Sequence, residues 1–221
     1  MKFIEAADEK QGVEAMAAKI TAALLEGKKV LWLICGGSNI PYAKQAMDMV
    51  RTRAAAHLHN LTIGQTDERF GPVGHKDSNW QQMQEAHFNF EGTQILPILK
   101  DESLEETVRA YAATITRAFE EVDVVVAQFG IGADGHVAGM LPHTGGLEAR
   151  EFVFGYEAAP FVRITLTPPA FTRIDAAYTF AFGASKRDAV TKLWQKDVTI
   201  DEMPCQILKR IEESRFYSDQ L

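Results

Sequence analysis

Val122-Asp123-Val124-Val125-Val126-Ala127-Gln128-Phe129 runs without a break into Gly130-Ile131-Gly132-Ala133-Asp134-Gly135-His136. The first part predicts the strongest strand in the chain. The second is a glycine loop at that strand's carboxyl end. It opens as G-x-G after a strand, which invites a dinucleotide-binding reading. Asp134 argues against it, since it would set a carboxylate against a pyrophosphate, and the loop lies past the middle of the chain with no opening βαβ unit around it. The loop instead offers one carboxylate and one imidazole on a glycine-rich backbone. A histidine accepts a proton near neutral pH, and a neighbouring carboxylate fixes its tautomer. A lone histidine is ordinarily structural; the strand-end position and the flanking glycines favour a chemical role for His136.

The segments on either side extend this pattern. Val13, Met16, Ala17, Ile20 and Leu24 predict a helix from Asp8 to Gly27, with Asp8 and Gln11 as a capping box. Val30 to Cys35 is a short, continuous apolar run, the mark of a strand buried on both faces, followed by Gly36-Gly37-Ser38 and a helix from Pro41 to about His57. Leu61 to Gln65 predicts a strand ending in the polar loop Thr66-Asp67-Glu68-Arg69. Ser78 and Gln81 cap a helix carrying Trp80 and Met83, and Ile95 to Leu99 is a candidate strand. Ser103 and Glu106 form a capping box for a helix with Leu104, Val108, Tyr111, Ile115 and Phe119 on one face. Residues 137–160 show no clear period. Val162 to Leu166 and Ala177 to Phe182 predict strands, and Ser185 and Asp188 cap a helix bearing Val190, Leu193 and Trp194. Pro204 opens a last long helix with Ile207, Leu208 and Ile211 inward, and the polar tail after about Ser214 is expected to fray. Alternating strands and helices imply an α/β fold: a doubly wound, mostly parallel sheet with helices on both faces, Rossmann-like. No linker divides the chain, so residues 1–221 read as a single domain.

In such sheets ligands bind beyond the carboxyl ends of the strands. Four motifs fall there. Gly36-Gly37-Ser38 leaves a strand and enters a helix, where backbone N–H groups and the helix dipole favour an anion, although a plain tight turn would look the same. Asp67-Glu68-Arg69 sets three charges at a strand end; it reads equally as a solvated turn or as an arginine aimed at a phosphate or carboxylate. Gly130 to His136 is the loop above. Gly183-Ala184-Ser185-Lys186 places Lys186 at a helix start, where it opposes the dipole unless an anionic ligand sits there. Arg163, opening a strand, is a weaker candidate of the same kind. The remaining histidines, His57, His59, His75, His87 and His143, read as surface residues, His143 being kept in view because it follows the loop. No metal-ligand pattern surrounds His57-Leu58-His59. No G-x-S-x-G elbow or Cys–His signature points to a covalent nucleophile.

Composition bounds the partners. Of 221 residues, 46% are hydrophobic and 24% charged, enough apolar material for a sizeable core. The net charge of −7 lacks the basic footprint of a nucleic-acid binder, so positive charge must be gathered locally if the ligand is an anion. The two cysteines, Cys35 and Cys205, imply no disulfide framework, and the charged start MKFIEAADEK is not a signal peptide. No apolar run approaches the roughly 18 residues of a membrane span. The expectation is a cytoplasmic protein with neither nucleic-acid nor membrane partners.

Taken together, Gly36-Gly37-Ser38, Asp67-Glu68-Arg69 with Asp77-Ser78-Asn79, Gly130 to His136 with Leu141-Pro142, Arg163-Ile164-Thr165-Leu166-Thr167 and Gly183 to Lys186 resemble the 6-phosphogluconolactonases. That family shares a superfamily with glucosamine-6-phosphate deaminases. The resemblance runs from about residue 30 to 210. It implies hydrolysis of 6-phospho-D-glucono-1,5-lactone in the oxidative pentose phosphate pathway, a small phosphosugar lactone as ligand, and no metal or organic cofactor. His136 would activate water, Asp134 would orient the imidazole or the substrate, and Gly36, Gly37, Ser38, Asp67, Arg69, Arg163 and Lys186 would hold phosphate or sugar hydroxyls. Two departures stand out: Asn39-Ile40-Pro41 replaces the family's Thr-Pro, and Leu141-Pro142-His143 replaces Phe-Pro-Gly. The rival readings are a deaminase-type isomerase, whose Asp-Glu-Tyr and Asn-Glu-Pro are both missing here, and a non-catalytic sugar-phosphate sensor, for which no basic helix-turn-helix precedes residue 30. Monomer and homodimer both remain open.

Overall fold

A computed structural model describes residues 1–221. Its strands are β1 (Lys2–Glu5), β2 (Val30–Ile34), β3 (Leu61–Gln65), β4 (Asp67–Arg69), β5 (Gln94–Ile95), β6 (Val124–Gly130), β7 (Val153–Ala158), β8 (Phe161–Leu166), β9 (Ala176–Phe180) and β10 (Glu213–Ser218). The helices are α1 (Lys10–Leu25), α2 (Ile40–Ala54), α3 (Asn79–Glu85), α4 (Leu104–Glu121), α5 (Pro168–Phe171) and α6 (Arg187–Gln195). Seven strands form one parallel sheet in the order β1-β10-β9-β6-β2-β3-β5. A second, antiparallel sheet, β4-β8-β7, stands beside it.

The apolar runs have the cause that their pattern suggests. On β2, Leu31 and Leu33 join one buried cluster while Val30, Trp32 and Ile34 join another. On β6, Val125, Ala127 and Phe129 face the first cluster and Val126 the second. Alternate side chains of one strand thus enter two cores, which is why no polar alternation is visible. Helices α1 and α2 cover one face; α4 and α6 cover the other. The sheet is doubly wound as expected. Chain order reverses between β2 and β6, since β3 and β5 extend the sheet one way and β9 and β10 the other. The loops after β2 and β6 therefore open into one crevice. No helix is long and apolar enough to cross a membrane.

Several local expectations are corrected. The tail after Ser214 does not fray: it is β10, paired on both sides, with Ser214, Phe216, Tyr217 and Ser218 buried. Ser218 can sit inside because its hydroxyl donates to the Ala181 carbonyl (2.7 Å) while the backbone ladders satisfy its strand. Residues Pro204–Arg210 form a 3-10 segment rather than a long α-helix. The polar loop after β3 is in fact β4, which turns into the second sheet. The candidate strand at Ile95–Leu99 shrinks to Gln94–Ile95. The Asp8–Gln11 box does not form: Asp8 accepts from the Lys10 amide instead, and α1 starts at Lys10. Ser185 lies in a 3-10 turn, and α6 begins after Lys186 with no side-chain cap. Residues 137–160, which show no sequence period, include β7. The Ser78 cap and the Ser103–Glu106 box are both present.

An interior strand cannot be lost without orphaning two ladders. Truncation after Glu212 should abolish the cooperative thermal transition seen by circular dichroism, whereas a merely frayed tail would leave it in place.

Candidate active site

The crevice at the sheet's switch point is lined by Cys35, Gly36, Gly37, Ser38, Asn39, Asp67, Arg69, Asn79, Gly130, Ile131, His136, Ala138, Arg163 and Lys186. Every candidate site residue lines it except Asp134, which stands behind His136. A larger cavity of about 330 Å³ lies elsewhere, walled by residues such as Lys29, Asn60 and Arg117, and holds none of these groups.

The crevice holds a carboxylate–imidazole pair. Asp134 Oδ1 lies 2.7 Å from His136 Nδ1 and also accepts the His136 backbone N–H at 3.1 Å. The short loop thus folds its own carboxylate onto its own ring. With Nδ1–H donated to Asp134, the basic lone pair resides on Nε2. The His136 ring, donating to Asp134, holds its carboxyl down at about 2, partial burial opposing this only in part. Gly132 makes the pair possible: a Cβ there would overlap both His136 Nδ1 and Asp134 Oδ1. From below, Met203 packs against Gly135, and the Cys205 amide donates to the Gly135 carbonyl at 2.9 Å.

The crevice also gathers three cations. Arg69 and Arg163 face each other across β4 and β8, and Lys186 stands at the start of α6. None of the chain's ion pairs involves these three. The Nε atoms of both arginines are buried without a partner. Arg163 lies within β8 rather than opening it. Gly37 turns with φ +66 to start the 3-10 segment leading into α2, which places exposed Ser38 on the rim. Burial pushes the Cys35 thiol far above its ordinary range, so no thiolate nucleophile faces the crevice.

Two groups of residues escaped the sequence reading. Glu68 is fully buried and accepts five hydrogen bonds: from Gln65 Nε2 (2.9 Å), the Arg69 amide (2.8 Å), Ser78 Oγ (3.0 Å), the Asn79 amide (2.6 Å) and the Trp80 amide (2.9 Å). It is neither a solvated turn nor a ligand group. The following Ser-Asn-Trp, which presents its donors at a helix start, was the available signal. The second group is Tyr156 and Thr165. The Tyr156 hydroxyl donates to the Gly139 carbonyl (2.5 Å) and accepts from the Leu141 amide (3.3 Å), while Thr165 Oγ1 accepts from the Gly139 amide (2.9 Å). They hold the segment just after His136, where Ala138 has the unusual φ of 52. His75 is also more than a surface residue: its Nε2 lies 2.8 Å from the Arg69 carbonyl oxygen. The departure Asn39 is buried in the crevice wall with its amide over Gly130. The other departure, His143, has φ 57 and pairs with exposed Asp201 at 2.7 Å. His57-Leu58-His59 gathers no third ligand, and no group of three His, Cys, Asp or Glu side chains is placed to hold a metal ion.

The sequence model of the family described as glucosamine-6-phosphate isomerases/6-phosphogluconolactonase matches residues 5–217. A human protein named 6-phosphogluconolactonase is 25% identical over 207 residues, covering 88% of this chain and 80% of its own length. The crystal structure of a 6-phosphogluconolactonase from Shewanella baltica superposes with a TM-score of 0.81 at 18% identity, covering 99% of this chain and 97% of that one. A monomeric glucosamine-6-phosphate deaminase superposes almost as well, with a TM-score of 0.77 at 18% identity over 100% of this chain and 98% of its own. At these identities the solved structures establish the fold alone.

Replacing Glu68 by Gln keeps the volume but turns an amide donor toward donors. The expected cost is about 3 kcal/mol, a fall in Tm of roughly 6–12 °C. An unchanged Tm would show the five contacts to be incidental.

Proposed function

Because the chain belongs to the glucosamine-6-phosphate isomerase/6-phosphogluconolactonase family, we propose that it is an enzyme hydrolysing 6-phospho-D-glucono-1,5-lactone to 6-phospho-D-gluconate, in the oxidative pentose phosphate pathway. The observation that carries this reading is that one crevice brings together a carboxylate-held imidazole and three cations that have no counter-ions. A lactone that carries a phosphate away from its ester group matches such a site.

The chemistry then follows from the residues. His136 Nε2 takes a proton from a water as that water attacks the lactone carbonyl carbon. The C–O bond to the ring oxygen breaks, and the imidazolium returns the proton to that oxygen. Asp134 keeps the ring in the tautomer that leaves Nε2 free, and it steadies the positive charge that forms. The phosphoryl group lies among Arg69, Arg163, Lys186 and the backbone amides of Gly36, Gly37 and Ser38. Asp67 accepts a sugar hydroxyl. A lactone is an activated ester, so a placed water, a base and an anchored phosphate suffice. Residues 1–221 act as one catalytic domain with no cofactor, in the cytoplasm, as a monomer or homodimer.

The isomerase branch of the family needs a further acid near the base. Here Gly139-Met140-Leu141-Pro142 follows the loop, and Glu148 lies outside the crevice wall. Only Asp67 and Asp134 supply carboxylates at the site.

Purified protein should hydrolyse 6-phosphogluconolactone well above the spontaneous rate and release no ammonia from glucosamine 6-phosphate; the reverse pair of results would assign it to the deaminase branch. His136→Ala should lower kcat by about 10²–10⁴-fold, and full turnover in that variant would remove the assigned base. Asp134, with its folded pKa at about 2 and below its unfolded value of roughly 4, stays ionised across the working range. Its contribution is present above about pH 4 and is lost only as pH falls toward 2. The acid limb of kcat/KM should therefore contain no titration above pH 4 that belongs to Asp134; an acidic titration above pH 4 that Asp134→Asn removes would contradict this.

A further inference from the structure

Arg69 and Arg163 are register partners on β4 and β8, an arrangement in which like charges repel. Phe161 lies two residues before Arg163 on β8 and so presents its ring on the same face. The Arg69 Cζ is 5.3 Å from that ring's centroid and the Arg163 Cζ is 5.5 Å from it, both within cation–π reach. One aromatic ring thus serves two guanidiniums. No carboxylate is paired with either of them, and both Nε atoms are buried without a partner. The single protein hydrogen bond that fixes a guanidinium here runs from Arg69 Nη1 to the Asp77 carbonyl, at 3.1 Å. The ring is half-buried and belongs to neither apolar core. Hydrophobic packing therefore gives no account of an aromatic residue at this place.

We propose that Phe161 is a positioning residue: its π face gathers Arg69 and Arg163 into a two-pronged clamp whose outer N–H groups converge on a dianionic phosphoryl group, and it thereby sets the preference for phosphorylated over unphosphorylated lactones. The inference rests on the reading of the three cations as the phosphate site. The ring does not touch the substrate. It offsets the repulsion between the two arginines while the site is empty, and it keeps them from turning to water. The effect belongs to holding the phosphoryl group and not to the base His136, so it enters KM and leaves kcat alone.

The test compares Phe161→Leu, Phe161→Tyr and Arg163→Leu on 6-phosphogluconolactone and on unphosphorylated gluconolactone, with Tm recorded for each. Phe161→Leu keeps an apolar side chain and loses the π face. It should raise KM for the phosphorylated lactone about tenfold, equivalent to about 1.4 kcal/mol, with kcat within twofold and no change on gluconolactone. Phe161→Tyr, which restores the ring, should return KM to the wild-type value. Unchanged KM in Phe161→Leu, an equal loss on both lactones, or failure of Tyr to rescue would each overturn the proposal. Arg163→Leu separates the two claims. If it raises KM for the phosphorylated lactone and Phe161→Leu does not, only the clamp fails. If it leaves that KM unchanged, the phosphate assignment itself fails.

Discussion

The geometry of the crevice depends on one buried carboxylate. Glu68 lies where β3 has just ended, β4 turns out of the main sheet and α3 begins. Backbone amides at a helix start have no helical partner, and strands that part at an angle leave further donors open. Glu68 closes all of these at once, with Gln65, Arg69, Ser78, Asn79 and Trp80 each donating to it. A buried carboxylate is tolerated only when its lone pairs are so occupied. Arg69 and Asn79, both in the crevice wall, take their places from this junction, as does Asp67, to whose carbonyl the Asn79 side-chain amide donates at 3.0 Å. The two sheets are joined here, and the cationic part of the site is built on the joint.

The same junction shows what a sequence can reveal. Strands β2, β6 and β9 were legible because a short, largely apolar run, set between helices, reflects burial on both faces. Caps were legible where the partners are three residues apart and nothing else competes, as at Ser103–Glu106, and misleading where a nearer donor does compete, as at Asp8. Glu68 was invisible because its donors come from as far as Trp80, so its charge read as solvent-facing. Strand β10 was invisible for a related reason: Ser214 and Ser218 look like surface residues until a ladder on each side encloses them. The gathering of Ser38, Asp67, Arg69, His136 and Lys186 at one crevice followed from topology, since parallel strands point their carboxyl ends the same way, whereas Arg163 reaches it from within the antiparallel β8. The platform under the arginines did not, because Phe161 beside a strand start looks like any core aromatic.

Electrostatically the molecule separates two needs. Its acidic balance of −7 leaves carboxylates to pair with cations at the surface, as Glu14 with Arg53 and Glu202 with Lys192. The three cations at the crevice are excepted, held by backbone, aromatic face and helix start instead of by counter-ions. The glycine loop meanwhile gives no charge to the anion. Its glycines make room for a carboxylate and an imidazole to lie against each other, which is a different use of glycine from the phosphate cradle it resembles in spelling.

Strand β1 has a single neighbour in the sheet, β10, through pairs such as Lys2↔Arg215. Strand β1 thus has no ladder until β10, far along the chain, is in place. Loop closure over such a span is entropically slow, and high contact order lengthens folding. The sheet edge at β9 also stays open until β10 arrives, and an open apolar edge invites pairing with other chains. Completion of this fold therefore waits on a pairing between residues far apart in sequence, and the interval before it is the time when the open β9 edge is most exposed to aggregation.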